Sequence, residues 1–445
     1  MKLIQTIKII WKIEDLRKRL TITFLFVLIY RLGCFVVLPG ISPQDLEAMR
    51  SFTNSGLIQL LDMFSGGAFS QASIFALGIM PYITASIVIQ LLGMVLPQFK
   101  KMQNEGESGR MKLNQYTRYL TVGILLVQAP AYLVNLQYQV NAAGGHAHIS
   151  GLMMFYLSIV LTAGAMFIMW LGEKITDKGI GNGISIIILV GIIARFPSAI
   201  MQEFTSRLST AQGGLVMFLV EIIILFAVTA GAVMLVQGTR RVPVQYAKRI
   251  VGNRQYGGAR QYIPLKVNAA NVMPIIFAQA LMFIPITLAG FGARQDQGGF
   301  TGWIATTFSD MNGFWYNAVY FLLIVAFTYF YTAITVQPRA IAEGLKKNSG
   351  FIPGVKPGTN TVDYLDSIMS RITFPGSIFL GIVAILPAFA RYFGVSQQFA
   401  QFFGGTSLLI VVGVVLDTLQ QIETHLTMHH YDGLMKGGKI KGRAQ

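Results

Sequence analysis

Residues 213–237 read GGLVMFLVEIIILFAVTAGAVMLVQ, an almost uninterrupted apolar run with one ionisable side chain, Glu221. A helix rises about 1.5 Å per residue, so roughly twenty apolar residues cross the roughly 30 Å of hydrocarbon in a bilayer. The run therefore predicts a transmembrane helix.

Nine further runs of similar length lie on both sides of this one. Only 12% of the 445 residues are charged and 53% are hydrophobic, whereas about a quarter of an ordinary soluble domain is charged. The sequence therefore predicts an all-α integral membrane protein with ten transmembrane helices. The predicted spans are 20–38, 72–96, 117–139, 151–171, 183–200, 213–237, 271–290, 314–336, 372–391 and 401–424.

The basic residues predict the orientation, because lysine and arginine accumulate on the cytoplasmic side of membrane proteins. With the N-terminus inside, all but six of the 35 basic residues fall on the cytoplasmic side. We therefore expect both termini in the cytoplasm. The six exceptions are Arg31, Arg50, Arg195, Arg207, Arg294 and Arg391.

Ten spans divide into two sets of five, residues 1–200 and 201–445. With five spans per half, the second half enters the membrane from the opposite side, so structural repeats would have to be inverted. We find no clear sequence identity between the halves, and the inverted repeat is at this point a geometric possibility.

Two predicted cytoplasmic loops, 238–270 and 337–371, are long for a compact protein. The first has seven basic residues and no acidic one, and the second mixes five basic with three acidic residues. The positive-inside rule and contact with anionic lipid explain the sign of this charge. They do not explain the length, so we expect folded projections that dock a large cytoplasmic partner.

The apolar segment 57–69 is too short to span the hydrocarbon, and it contains Gln59 and Asp62, which are costly against lipid. Such a segment either lies at the membrane interface or folds back into a cavity lined by protein. The residues alone leave both alternatives open.

The sequence contains no catalytic motif of the H-E-x-x-H, G-x-S-x-G or P-loop type, so we expect no enzyme, cofactor or metal site. The single cysteine, Cys34, is expected to be a buried packing residue. A coupled transporter is the main alternative, and it would need an intramembrane carboxylate, for which Glu221 and Asp417 are the candidates. A structural scaffold for other membrane proteins is a weaker alternative.

Six stretches, in order along the chain, resemble the SecY family, the large subunits of the bacterial protein-conducting channel. The stretches are 73–83 (SIFALGIMPYI), 179–185 (GIGNGIS), 246–249 (YAKR), 264–268 (PLKVN), 351–354 (FIPG) and 404–410 (GGTSLLI).

The resemblance implies two inverted five-helix halves, closed at the waist by a ring of apolar side chains. The matching positions are Ile79, Ile83, Ile184, Ile188, Ile276 and Ile410. The first two pairs are spaced i, i+4, so each pair can face one direction. A narrow apolar constriction excludes ions by dewetting, yet it offers no strong binding site to a sliding chain.

The resemblance also identifies segment 57–69 as the family's plug, a short re-entrant helix, and so favours the second alternative above. The plug positions are Leu57, Leu60, Leu61, Asp62, Phe64 and Phe69. Gln90 and Asn268 match polar positions along a lateral gate that releases apolar segments into membrane lipid.

The long loops match those that dock the ribosome or the SecA motor ATPase. The basic residues implied in docking are Lys248, Arg249, Arg254, Arg339 and Lys356. Three departures from the family are visible: Gln337 precedes Pro338-Arg339 where asparagine is common, Asn253-Arg254 replaces a frequent basic pair, and Lys356 often is arginine. The resemblance further implies SecE and SecG as small subunits, signal-bearing preproteins as cargo, and the bacterial cytoplasmic (inner) membrane as location.

Overall fold

The computed structural model of the chain describes residues 11, 13–41, 62–142, 150–209, 214–246, 249–251, 254–256, 260–292 and 313–437. These residues are mostly helical. The helices are α1 (Glu14–Gly33), α2 (Met80–Val95), α3 (Pro97–Asn104), α4 (Glu107–Ala142), α5 (Gly151–Lys178), α6 (Gly183–Ser209), α7 (Gly214–Gln237), α8 (Met273–Gly292), α9 (Phe314–Thr335), α10 (Pro338–Lys347), α11 (Thr359–Tyr392), α12 (Gln397–Ala400) and α13 (Gly405–Gly437). The strands are β1 (Thr239–Tyr246), β2 (Arg249–Val251), β3 (Arg254–Tyr256), β4 (Arg260–Lys266) and β5 (Gly350–Phe351).

The predicted helical membrane architecture is confirmed, whereas the count of ten spans is not. Within the described residues, seven helices are long and apolar enough to cross a membrane, or eight if the bent pair α2–α3 is one span. The predicted spans 20–38 and 271–290 correspond to α1 and α8, which are not among them. Helix α1 begins with several charged residues, and the described apolar part of α8 is only Met273–Met282.

The second predicted span, 72–96, was wrong at its beginning, because the chain runs through turns until Ile79 and α2 starts at Met80. Gly78 has φ +57°, a left-handed conformation that favours glycine and interrupts a helix. Pro81 occupies the first turn of α2, where its missing N–H costs no hydrogen bond. The proline therefore starts the helix.

The motif GIGNG, residues 179–183, forms the turn before α6 and caps the start of this helix. The side-chain oxygen of Asn182 accepts hydrogen bonds from the backbone N–H groups of Ile184 (3.1 Å) and Ser185 (3.4 Å). This is helix N-capping, which satisfies donors that have no partner inside the helix. Gly181, with φ +80°, makes the turn that brings Asn182 into this position.

The chain divides into two compact units, Met1–Ala199 with Val414–Gln445, and Ile200–Gly413. The predicted halves, 1–200 and 201–445, assign residues 414–445 differently. The inverted repeat of the two halves stays a prediction.

In the second unit, the two long loops fold together. Strand β1 pairs antiparallel with β4 and, on its other side, with β5 from the second loop, so the order is β4-β1-β5. Val242 and Val244 point to a small apolar core, and their neighbours Arg241 and Pro243 are exposed, as expected for a strand with one buried face. The core comprises Val242, Val244, Leu265, Leu345, Ile352, Leu365 and Met369.

Candidate functional site

The described end of the predicted plug is buried. We use the name plug turn for residues 62–70, which are helical at 62–64 and continue in turns. Asp62, Phe64 and Phe69 are each at most 6% exposed, which agrees with a re-entrant segment and not with an interfacial helix. Leu57, Leu60 and Leu61 lie outside the described residues.

Two glycines allow the plug turn to reverse direction. Gly66 and Gly67 have φ of +66° and +96°, in the region that residues with a Cβ rarely adopt. The Gly67 N–H donates to the carbonyl of Asp62 at 2.8 Å. The hydroxyl of Ser65 accepts from the N–H of Phe69 at 3.0 Å and donates to the Asp62 carbonyl at 3.2 Å.

Helix α1 holds one side of the plug turn, because side chains of α1 donate hydrogen bonds to backbone carbonyls of the turn. The Tyr30 hydroxyl donates to the carbonyl of Ser65 at 3.2 Å. Arg31 Nη1 donates to the carbonyl of Gly66 at 2.6 Å. The thiol of Cys34 is buried, as predicted, and its Sγ lies 3.8 Å from the Ser65 oxygen.

Helix α6 holds the other side through an ion pair between Arg195 and Asp62. The second oxygen of the Asp62 carboxylate accepts from the N–H of Ser70 at 2.8 Å. Arg195 Nη2 also donates to the Ser70 hydroxyl at 2.8 Å. Asp62, Ser70 and Arg195 therefore form a closed triangle of polar contacts.

The backbones of the plug turn and α6 approach closely at two glycines. A Cβ on Gly66 would lie 2.9 Å from Cα of Gly191, and a Cβ on Gly191 would lie 2.9 Å from the Phe64 oxygen. Real Cβ atoms essentially never come this close to backbone. The observed position of the plug turn therefore requires glycine at both places.

Helix α4 contacts the end of the plug turn. The rings of Phe69 and Tyr132 pack edge to face with centroids 4.8 Å apart, and the Tyr132 hydroxyl donates to the carbonyl of Phe69 at 3.1 Å. Beyond it, the N–H of Leu38 donates to the Ala72 carbonyl at 2.9 Å. The plug turn is thus fixed by three helices of the first unit.

The six predicted ring positions lie at the starts of helices in both units. In the first unit, Ile79 and Ile83 lie at the start of α2, and Ile184 and Ile188 lie in the first two turns of α6. In the second unit the positions are Ile276 in α8 and Ile410 in α13. All are buried except Ile184, which is half-buried. Their convergence in one ring stays a prediction.

The two predicted lateral-gate residues lie in different units. Gln90 is half-buried on α2 and donates to the hydroxyl of Ser86 at 3.2 Å. Asn268 is 2% exposed and precedes α8, where its amide donates to the carbonyl of Asn271 at 3.1 Å. The Asn268 side-chain oxygen has no hydrogen-bond partner among the described residues. Their place along a lateral gate stays a prediction.

The sheet of the second unit and the segments next to it carry exposed basic side chains. Arg339, in the first turn of α10, and Lys356, before α11, are both exposed. Lys248 lies outside the described residues, and Arg249 and Arg254 are placed in β2 and β3 by their backbone. Further exposed basic residues of the same region were not among the predicted docking residues. These are Arg240, Arg241, Lys346, Lys347 and Arg371.

A buried ion cluster involves Glu221, one of the two candidates for the intramembrane carboxylate that a coupled transporter would need. Arg207 Nη2 lies 2.5 Å from Glu221 Oε1, and Arg207 Nε lies 2.9 Å from Glu203 Oε1. The other oxygen of Glu203 accepts from the N–H of Ser396 at 2.8 Å. Glu221 is therefore engaged by an arginine, and it does not resemble a carboxylate that is free to carry a proton or a sodium ion.

Sequence reasoning missed the ion pairs that Arg195 and Arg207 each form with carboxylates, although the sequence contained a signal for them. Both arginines had been counted outside the cytoplasmic segments, and both interrupt or follow an apolar run. An ionised side chain at such a position requires a partner. Asp62 and Glu221 also lie in apolar segments, where a carboxylate likewise requires a partner. They were therefore the available partners of the two arginines.

Comparison with known proteins identifies the family. The SecY family model matches residues 73–419 of this chain. The chain belongs to the SecY family. The protein translocase subunit SecY of Halalkalibacterium halodurans is 44% identical over 438 residues, covering 97% of this chain and 100% of the relative. The SecY subunit of Streptomyces galbus is 42% identical over 437 residues, covering 96% and 98%.

Solved structures support the same SecY fold. One is a SecY protein whose plug domain is described as stabilising the closed channel, with a TM-score of 0.65, 19% identity and 92% coverage of both chains. Another is Sec61 in a canine ribosome–channel complex, with a TM-score of 0.59, 18% identity and 92% coverage of both chains. The chain is thus a multi-pass membrane protein with the SecY architecture.

Proposed function

We propose that this chain is the pore subunit of a protein translocase, which conducts unfolded preproteins across a membrane and catalyses no reaction itself. The observation that carries the proposal is the match, over nearly the whole length, to SecY subunits of protein translocases. The buried plug turn supports it, because it lies where the family resemblance expects the plug.

The pore is closed by the six isoleucines at 79, 83, 184, 188, 276 and 410. Apolar side chains at a constriction exclude water and ions while the channel rests. They also form no specific hydrogen bonds, so polypeptides of any sequence can slide past them. This property suits a large and chemically varied cargo better than it suits a small solute.

The channel also releases apolar segments sideways into membrane lipid, past the seam that includes Gln90 and Asn268. A segment of about twenty apolar residues is more stable in hydrocarbon than in an aqueous pore, so the release needs no energy source of its own. The expected location is the bacterial cytoplasmic membrane, with both termini in the cytoplasm.

Energy and cargo come from partners that dock on the sheet of the second unit. The exposed basic side chains of this region, Arg339 and Lys356 among them, suit phosphate groups of ribosomal RNA or an acidic surface of the SecA motor. Sec61, a channel of similar fold, has been solved in a complex with the ribosome, which is a precedent for the ribosome as a partner. SecE and SecG are the expected small subunits.

The test is protease protection in vesicles that contain this chain with SecE and SecG, supplied with SecA, ATP and a signal-bearing preprotein. The proposal predicts that the preprotein becomes protected only when both ATP and this chain are present. Absence of protection, with the same partners active on a known channel, would contradict it and favour a search for solute uptake.

A further inference from the structure

The plug turn is held by two arginines that come from different helices. Arg195 lies in the middle of α6, one of the candidate spans, where an ionised side chain is costly unless it is paired. Its partner Asp62 is 5% exposed. Arg31 of α1 holds the same turn through the carbonyl of Gly66, four residues further along the chain.

We propose that Arg31, Asp62, Ser70 and Arg195 form a plug latch, in which the two arginines are positioning residues that retain the plug turn in the resting channel. Opening of the Asp62–Arg195 pair releases the turn. The inference rests on the proposed function, since a polypeptide can pass only after the plug has left.

The exposure of Arg195 makes this pair suitable for repeated opening. Its side chain is 31% exposed, whereas that of Arg207, in the buried cluster of the second unit, is 9% exposed. Arg195 is therefore less enclosed by the protein than Arg207, and separation of its ion pair is expected to cost less. The more deeply buried cluster around Arg207 is expected to stay closed when the latch opens.

Arg31 remains in place on α1 when the latch opens. Its guanidinium lies over the ring of Phe35, 5.2 Å from the centroid, in a cation–π contact that does not involve the plug turn. The donor for the Gly66 carbonyl is therefore already positioned when the turn returns. Gly66 and Gly191 complete the arrangement, because any larger residue would prevent the close backbone approach.

Cys34 provides a built-in reporter of the latch. It is the only cysteine of the chain, it is 1% exposed, and its sulfur contacts the Ser65 carbonyl of the plug turn. A maleimide reaches this thiol only when the turn moves away. The rate of labelling therefore follows the population of the released state.

The experiment measures labelling of Cys34 by N-ethylmaleimide in the purified full-length chain with SecE and SecG, without SecA, ATP or preprotein. Arg195→Gln and Asp62→Asn should each raise the rate about ten- to a hundredfold, which is less than a fully buried pair would give, because the Arg195 side chain is 31% exposed. The combined variant should be no faster than the faster single variant, because both changes remove the same interaction. Arg195→Lys, which keeps the cation, should restore most of the protection.

Two controls separate release from unfolding. Arg118→Gln breaks the Arg118–Glu173 pair of the same unit, where Nη2 and Oε2 are 2.6 Å apart, and should leave labelling unchanged. Circular dichroism and thermal unfolding should match the wild type for every variant that is compared. Single variants that label at the wild-type rate, or a combined variant whose effect is the product of the two, would overturn the latch.

This labelling does not depend on transport. A chain that labels as expected but gives no protease protection would refute the proposed function and leave the latch intact. The converse result, protection without any effect of Asp62 or Arg195 on labelling, would refute the latch alone.

Discussion

Replacement of Arg207 by methionine should strongly destabilise the second unit. Two carboxylates depend on this one guanidinium, Glu203 at 2.9 Å and Glu221 at 2.5 Å, and their side chains are 1% and 3% exposed. Methionine fills a similar volume, so packing is largely retained and the lost charge dominates. Removing one partner of a buried ion pair costs about 3–5 kcal/mol, because the remaining charge stays desolvated.

An exposed ion pair, Arg118–Glu173, allows the effect of burial to be separated from the loss of an arginine charge. Arg118 is 48% exposed in its pair with Glu173, and such surface pairs contribute about 0–1 kcal/mol. Arg118→Met is therefore the matched control. Glu221→Gln should also be mild, because it leaves Arg207 paired with Glu203 and removes the excess negative charge of the cluster.

The assay is denaturant-induced unfolding in mixed micelles, followed by circular dichroism, for the three variants and the wild type. We expect the free energy of unfolding to fall by at least about 3 kcal/mol for Arg207→Met and by no more than about 1 kcal/mol for Arg118→Met. Similar losses for both arginine variants would refute the reasoning, since burial would then not determine the value of the pair.

Three further predictions concern transport. Ile276→Asn or Ile410→Asn should wet the constriction, raise ion conductance in planar bilayers and relax selectivity for signal sequences; unchanged conductance would count against the ring. Arg339→Glu should slow SecA-driven transport while the protein keeps its fold and its thermal stability, and normal transport would remove this residue from the docking surface. Val244→Asp should place a charge in the core shared by the two loops and impair docking more than Thr239→Asp, which adds the same charge at an exposed position of β1; equal effects would show that the sheet core is unimportant.

The sequence predicted the helices of this fold well, because long apolar runs leave few alternatives. The helices α5, α7 and α9 each contain or closely match a predicted span. The helix start at Met80 was missed, since an apolar run looks the same whether it is helical or, as at 72–79, folded in turns. Only Gly78 and Pro81 distinguish the two, and each also occurs inside membrane helices.

The sheet was also missed, for a different reason. Sequence reasoning treated the two loops as separate projections, but β5 of the second loop pairs with β1 of the first. A strand of two residues carries no period that a sequence pattern could reveal. Contacts between residues about a hundred positions apart, such as Tyr246 and Gly350, depend on the folded chain.

The sequence singled out individual residues of the candidate site but did not predict the contacts between them. Asp62 stood out as a carboxylate in an apolar segment, and Arg31 and Arg195 stood out among the basic residues outside the cytoplasmic segments. Their assembly around one turn depends on the close approach of Gly66 and Gly191, which no spacing in the sequence indicates. The ring and the lateral gate came from family resemblance alone.

The most direct test of the account is crosslinking of a preprotein arrested during transport. A photoreactive residue would replace Ile188 of the first unit or Ile410 of the second, with Phe226, which is 71% exposed on the candidate span α7, as the lipid-facing control. The account predicts ATP-dependent crosslinks to the arrested chain from both isoleucine positions and none from Phe226. Crosslinks from Phe226 alone, or from none of the three positions while the preprotein is demonstrably arrested, would contradict the claim that polypeptides pass through this chain.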